Sequence, residues 1–201
     1  MCFRQIGLIF TIIIICSVVS SWANGKIETR IGPFNLSSSP VTESKFISQF
    51  GEGYVQIDKV GDKLLGKKHI YYSRDEKVWV EIFFSHVRDE KLERIFEAVL
   101  ITKKRLCDER FEPKNTFGSL ATSKGIRIGD SLTKVLRLYG KPTIDIELGK
   151  DKIFSALAED LKLQKGRILR YLSDQPKELF FAEFYFDNEE GLHSLLFSQS
   201  E

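Results

Sequence analysis

Gly125-Ile126-Arg127-Ile128-Gly129-Asp130-Ser131-Leu132-Thr133-Lys134-Val135-Leu136-Arg137-Leu138-Tyr139-Gly140-Lys141-Pro142 is the stretch that decides how the chain is organised. Either Asp130 or Ser131 can accept from the free N–H groups of a first helical turn. Leu132, Val135, Leu136 and Tyr139 fall at i, i+3, i+4 and i+7, which makes one apolar face. Gly140 suits the left-handed position that ends a helix, and Pro142 prevents a restart. The same grammar occurs earlier, from Val41 to Gly51. There Thr42 is the cap, Phe46, Ile47 and Phe50 form the apolar face, and Gly51 is the stop. Val41 is placed to staple against Phe46.

Working outward, each helix leads into strand-like runs. Asn24 to Pro40 reads as a lead-in, and Tyr54, Ile57 and Val60 sit in a ragged strand. Clear runs follow at His69–Ser73 and Val78–Ser85, joined by Arg74-Asp75-Glu76-Lys77. A third run at Glu93–Thr102 follows Arg88-Asp89-Glu90-Lys91, the same tetrapeptide. Polar turns between β-rich runs predict an antiparallel meander. The second half offers Arg167–Leu172, Leu179–Phe186 and Leu192–Ser198 in the same order.

The helices align at an offset of 89 and the central strands at 102, so the second copy has gained 13 residues between them. Lys152 to Leu161, within that gain, fits a further short helix. The expected fold class is α+β: two tandem repeats, each a short helix or helix pair followed by a three-stranded antiparallel meander. The expected organisation is a signal peptide at 1–23, a lead-in at 24–40, repeat one at 41–102, a linker at 103–124 and repeat two at 125–201.

Strand alternation divides each central strand into two faces. Val78, Val80, Ile82 and Phe84, with Phe180, Ala182, Phe184 and Phe186, form an apolar face that the helices should cover. The opposite face carries Trp79, Glu81 and Phe83 in one half and Phe181, Glu183 and Tyr185 in the other.

The amino terminus has the three-part layout of a secretory signal: Arg4, an uncharged run of 14 residues from Ile6 to Val19, then Ser21-Trp22-Ala23. That run is short of the roughly 20 residues a spanning helix needs. Ile15 stands where a lipoprotein signal before Cys16 wants a small residue. Cleavage after Ala23 leaves a net charge of +1, which argues against nucleic acid as the main partner. Cys107 is then the one remaining cysteine and reads as a small buried residue with no internal disulfide. His69, His86 and His193 are isolated, so no metal site is expected.

Ile128-Gly129-x-Ser131, Val135, Tyr139-Gly140 and Pro142, followed by the meander ending at Leu192–Ser198, resemble the SmpA/OmlA (BamE-like) small envelope protein family and the tandem β-lactamase-inhibitory-protein architecture. In the first half the resemblance is carried by Thr42, Phe46, Phe50 and Gly51. It implies an exported, non-enzymatic protein whose sheets or loops contact other proteins.

The aromatic-plus-Glu face is the best candidate site: Trp79, Glu81, Phe83, Phe181, Glu183 and Tyr185, with Tyr71, Tyr72 and Tyr171 nearby. Aromatic anchors dominate protein interfaces. The competing role for these residues is packing between the copies or beneath the linker and insert. Asp187-Asn188-Glu189-Glu190-Gly191 lacks the glycine and the closing glutamate of a calcium loop and reads as a hairpin turn. Lys67-Lys68 and Lys103-Lys104-Arg105 read as solvated strand ends. No serine elbow, His–Cys pair or phosphate-cradling loop is present, so no catalytic residue and no cofactor is expected. The expected function is a protein-binding or scaffold module of the bacterial envelope, periplasmic or extracellular, partnered by another envelope or secreted protein. Membrane contact is expected only through an uncleaved signal segment. An inhibitor of an exported hydrolase is the alternative, and an enzyme the least favoured reading.

Overall fold

The computed structural model describes residues 30–35, 42–60, 63–85, 96–106, 117–149, 156–173, 179–187 and 191–200. The expected signal segment, Val41, His86 and Cys107 lie outside them. Two residue pairs, β1 (Arg30–Ile31) and β2 (Phe34–Asn35), make a small hairpin. Then come α1 (Glu43–Phe50), β3 (Tyr54–Val60), β4 (Lys63–Ser73), β5 (Val78–Ser85) and β6 (Phe96–Thr102). The second half runs α2 (Leu132–Tyr139), β7 (Ile144–Leu148), α3 (Ala156–Asp160), β8 (Gly166–Leu172), β9 (Leu179–Phe186) and β10 (Leu192–Ser200).

This arrangement overturns the expected fold class. β3 to β10 form one eight-stranded sheet, ordered β3-β4-β5-β6-β10-β9-β8-β7 with every neighbouring pair antiparallel. Among the described residues the chain is mostly β, with three short helices, and is not a pair of helix-plus-three-strand meanders. Each half supplies four strands, and β6 joins β10 to make the sheet continuous. The physical reason is edge satisfaction. A separate meander would leave the backbone groups of β6 and β10 unpaired, and pairing them removes two edges at once. The strand missed in the sequence, β7, reads Ile144-Asp145-Ile146-Glu147-Leu148. Its two acids hide a half-buried strand inside what looked like an insertion.

Both helices follow their local chemistry. Thr42 Oγ1 accepts from Lys45 N at 3.4 Å, and Ser131 Oγ accepts from Lys134 N at 3.2 Å. Ser131 is therefore the cap of α2, while Asp130 accepts from Arg127 N and from Lys134 Nζ. Gly51 and Gly140 both sit at φ 77°, each donating its N–H back to the helix. Eight-residue helices are too short to persist alone in water. They are held by the sheet: Tyr71 donates its hydroxyl to Gly51 O and Tyr171 donates to Gly140 O, each at 3.0 Å. At the other end of α1, Glu43 accepts from Lys67 at 3.3 Å and meets buried His69 Nε2 at 2.8 Å.

The covered face of the sheet is the one the alternation marks. Val78, Val80, Ile82, Phe84, Phe180, Ala182, Phe184 and Phe186 are all buried against Phe46 of α1 and Val135 of α2. Phe46 lies at the centre of a ring cluster with Phe34, Phe50, Tyr71, Phe84 and Phe96, at centroid distances of 4.7–6.3 Å. Gly166, at φ 133°, packs so closely that a Cβ would meet Phe186 O at 2.0 Å. Only glycine fits there.

The two tyrosine props give the fold an alkaline limit. Burial, with the Asp145 carboxylate adding to it, pushes the Tyr171 phenol up to about 12 from an ordinary 10.0. Burial, with Glu52 and Glu43 adding to it, raises Tyr71 as well. Below pH 10 the phenols are protonated in both folded and unfolded chains, and their contribution is intact. Between pH 10 and about 12 the unfolded chain loses protons that the fold retains, so stability falls as pH rises. Urea midpoints measured at pH 9 and pH 11 are expected to show that fall, and Tyr171→Phe to reduce it. An equal fall in the variant would remove Tyr171 as its cause.

Candidate functional site

The register of the sheet arranges the outer face in three rows. One reads Ile70, Glu81, Leu100, Leu196, Glu183, Arg170, Ile144 across seven strands. The next reads Tyr72, Trp79, Thr102, Ser194, Tyr185, Ile168, Ile146. The third reads Lys68, Phe83, Ala98, Ser198, Phe181, Leu172. All six sequence-singled residues therefore lie on one face, as two flanks of the β6–β10 seam. In the first and third rows the seam carries Leu100 with Leu196 and Ala98 with Ser198.

Their surroundings differ sharply. Trp79 is buried at 8% exposure, its ring 5.1 Å from Tyr72, with the Arg105 guanidinium 5.8 Å over it. Tyr185 is fully buried beneath α3, in a second core with Ile146, Ala158, Leu161 and Ile168. Glu183, at 2% exposure, is held between Arg170 and the Tyr185 hydroxyl. Glu81 is half-buried and pairs with Lys68 at 3.4 Å. Phe83 and Phe181 are half-buried, and Arg170 lies 5.9 Å over the Phe181 ring. Only Glu81, Phe83 and Phe181 of the six are thus partly open to a partner. Tyr71 and Tyr171 belong to the helix-covered face.

Three strand spacings separate the Glu81 and Glu183 backbones, about 14 Å. Paired carboxylates acting on one bond stand roughly 5–9.5 Å apart. The two glutamates therefore do not form a joint acid–base site. Each is an ion-pair partner.

Lys67 and Lys68, expected as solvated strand ends, lie within β4 and pair with Glu43 and Glu81, while Arg170 and the polar seam were not singled out in the sequence. Arg170 stands directly opposite Glu183, whereas Lys68 stands diagonal to Glu81, two residues from the directly opposite Ile70. A basic residue on the preceding strand was the available signal, but only the register shows which acid it faces. At the seam, Thr102 Oγ1 and Ser194 Oγ are 2.7 Å apart, and Ser194 also meets His193 Nδ1 at 2.7 Å. Burial pushes the His193 imidazole below its ordinary value, Lys103 and Lys104 adding to this and Asp187 opposing it. Thr102 and Ser194 are fully buried, so this network serves the β6–β10 join. Among the described residues there is no cluster of His, Cys, Asp or Glu able to hold a metal, and no helix long and apolar enough to cross a membrane. An open depression of about 520 Å³ lies by the β1–β2 turn, lined by Arg30, Pro33, Ser119 and Thr122 among others.

Neither a family model nor a curated protein matches this sequence. Among solved structures, the chain is similar to the crystal structure of a DUF4309 family protein (YjgB) from Bacillus subtilis subsp. subtilis str. 168. The TM-score is 0.40 at 10% identity, covering 83% of this chain and 82% of that one. A likeness of that size carries nothing about function.

Proposed function

We propose that this is a non-catalytic protein-binding module of the bacterial envelope, exported by its amino-terminal segment, that engages its partner through the outer face of the sheet. The observation that carries this reading is the row of half-buried residues that crosses the β6–β10 seam on that face, Lys68, Phe83, Ala98, Ser198, Phe181 and Leu172. In the second half α3 closes over Tyr185, Ile146 and Ile168. On the same face of β4 to β6, Ile70, Trp79 and Leu100 are buried as well, and the row that stays partly open throughout is the one through Phe83. There Phe83 and Phe181, both half-buried, flank the small Ala98 and Ser198 in a single row. Their backbones are about 14 Å apart, enough for one element of about 10–12 Å diameter to lie between them. Two half-buried aromatic rings, Phe83 packed over Gly66 and Phe181 beside Arg170, with small residues between their strands, suit an apolar anchor. The Lys68–Glu81 pair at one flank supplies a polar rim.

Phe83→Ala with Phe181→Ala is the informative variant, because both rings are partly exposed and their loss should leave the fold intact. Trp79→Ala is a poor probe, since the indole is buried. Cross-linked recovery of a partner from an envelope fraction is expected to fall at least tenfold in the double variant, with an unchanged melting temperature. Equal recovery with an intact fold would overturn the assignment of this face.

A further inference from the structure

The sheet has two outer edges, β3 and β7, and they are built differently. β7 is five residues long and exposes Asp145 and Glu147. Antiparallel pairing of two β7 strands about Ile146 would set Asp145 of one against Glu147 of the other. Like charges directly opposite oppose such pairing, and acids on an edge are a device against it. β3 is seven residues long, and among the described residues no strand pairs with its outer side. It also carries the large apolar side chains that the described fold leaves exposed, Tyr54 at 41% and Ile57 at 56%. Among the described residues, exposed large apolar side chains are found on this edge rather than spread over the surface.

We infer that β3 is a self-association edge, and that its occupant is β3 of a second copy of this chain, paired antiparallel about a two-fold axis at Gln56. The self-complementarity of the strand favours a copy over another partner. A two-fold axis normal to the sheet keeps each face on its own side, so residues of equal parity meet. Centred on Gln56, Val55 lies opposite Ile57 twice, which makes two apolar cross-strand pairs on the helix-covered side. Gln56 meets its own copy, and a side-chain amide is both donor and acceptor, so the pair satisfies itself. Tyr54, on the same face as Gln56, flanks that pair. The contact is isologous and closes at two subunits, whereas pairing of β3 with β7 would continue indefinitely. It uses the strand edge and leaves the Phe83–Phe181 row free.

Directly opposed residues have Cβ atoms about 4.5–5.5 Å apart, close to disulfide reach after small adjustment. The test is oxidative cross-linking of the full-length chain carrying Cys2→Ser, Cys16→Ser and Cys107→Ser, with Gln56→Cys on one edge or Glu147→Cys on the other. At about 10 µM, Gln56→Cys is expected to form a covalent dimer at least tenfold faster than Glu147→Cys. Adding Ile57→Lys, at a site already exposed in the monomer, is expected to remove that advantage. The inference is overturned if the two cysteines cross-link at equal rates, or if Ile57→Lys leaves the Gln56→Cys rate unchanged.

Discussion

Glu183→Ala is expected to destabilise the protein by about 1–3 kcal/mol, the range for removing the partner of a buried hydrogen-bonding group. Its carboxylate is 2% exposed and accepts from both Arg170 and the Tyr185 hydroxyl. Removing it leaves a fully buried phenol hydroxyl without that acceptor and a guanidinium without its counter-charge. Glu81 occupies the corresponding place on the other side of the seam, yet Glu81→Ala is expected to cost within about 1 kcal/mol. Its side chain is 17% exposed against 3% for Glu183, so water can take over its pairing, whereas the two cations, Lys68 at 28% and Arg170 at 36%, are both partly open to solvent. Urea denaturation of the two variants side by side checks the contrast. Similar losses would show that the burial difference between the two flanks does not govern their energetics. Glu183→Gln should lie between, because an amide still accepts from Tyr185 but carries no charge for Arg170.

Phe46→Ala should produce a larger loss, about 3–5 kcal/mol, through a cavity instead of a lost hydrogen-bond acceptor. Phe46 is 2% exposed, and its ring is the one that Phe34, Phe50, Tyr71, Phe84 and Phe96 all approach. Those neighbours come from β2, α1, β4, β5 and β6, so no single element can move in to fill the space. In a domain of this size the melting temperature should fall by about 10 °C. Phe50→Ala, at the half-buried end of the same helix, should cost clearly less. A calorimetric scan in which Phe46→Ala melts within 2–3 °C of the parent protein would show that the cluster repacks around the gap.

Much of the local structure was legible. Thr42, Ser131, Gly51 and Gly140 bound their helices because capping depends on residues within four positions. The two faces of β5 and β9 followed from alternation alone, since Val78 to Phe84 and Phe180 to Phe186 are apolar at every second position. β7 was missed because Asp145 and Glu147 make an edge strand look like a charged loop. The candidate face was also legible as a set of residues. Its availability was not: Trp79 and Tyr185 look as open in sequence as Phe83 and Phe181. Tyr185 is closed by α3, a helix whose position no local pattern specifies.

The sequence alone determined what depends on near neighbours: where helices start and stop, and which side of each central strand is apolar. Tertiary structure alone decided what depends on pairing partners distant in the chain. The β6–β10 join that makes one eight-stranded sheet is a pairing of residues roughly 90–100 positions apart, such as Thr102 with Ser194. Backbone hydrogen bonding carries no residue code, so nothing in the composition of β6 names β10 as its neighbour. Tertiary packing likewise buries Glu183 between Arg170 and Tyr185, leaves Glu81 half-buried beside Lys68, and puts β3 at an edge of the described sheet.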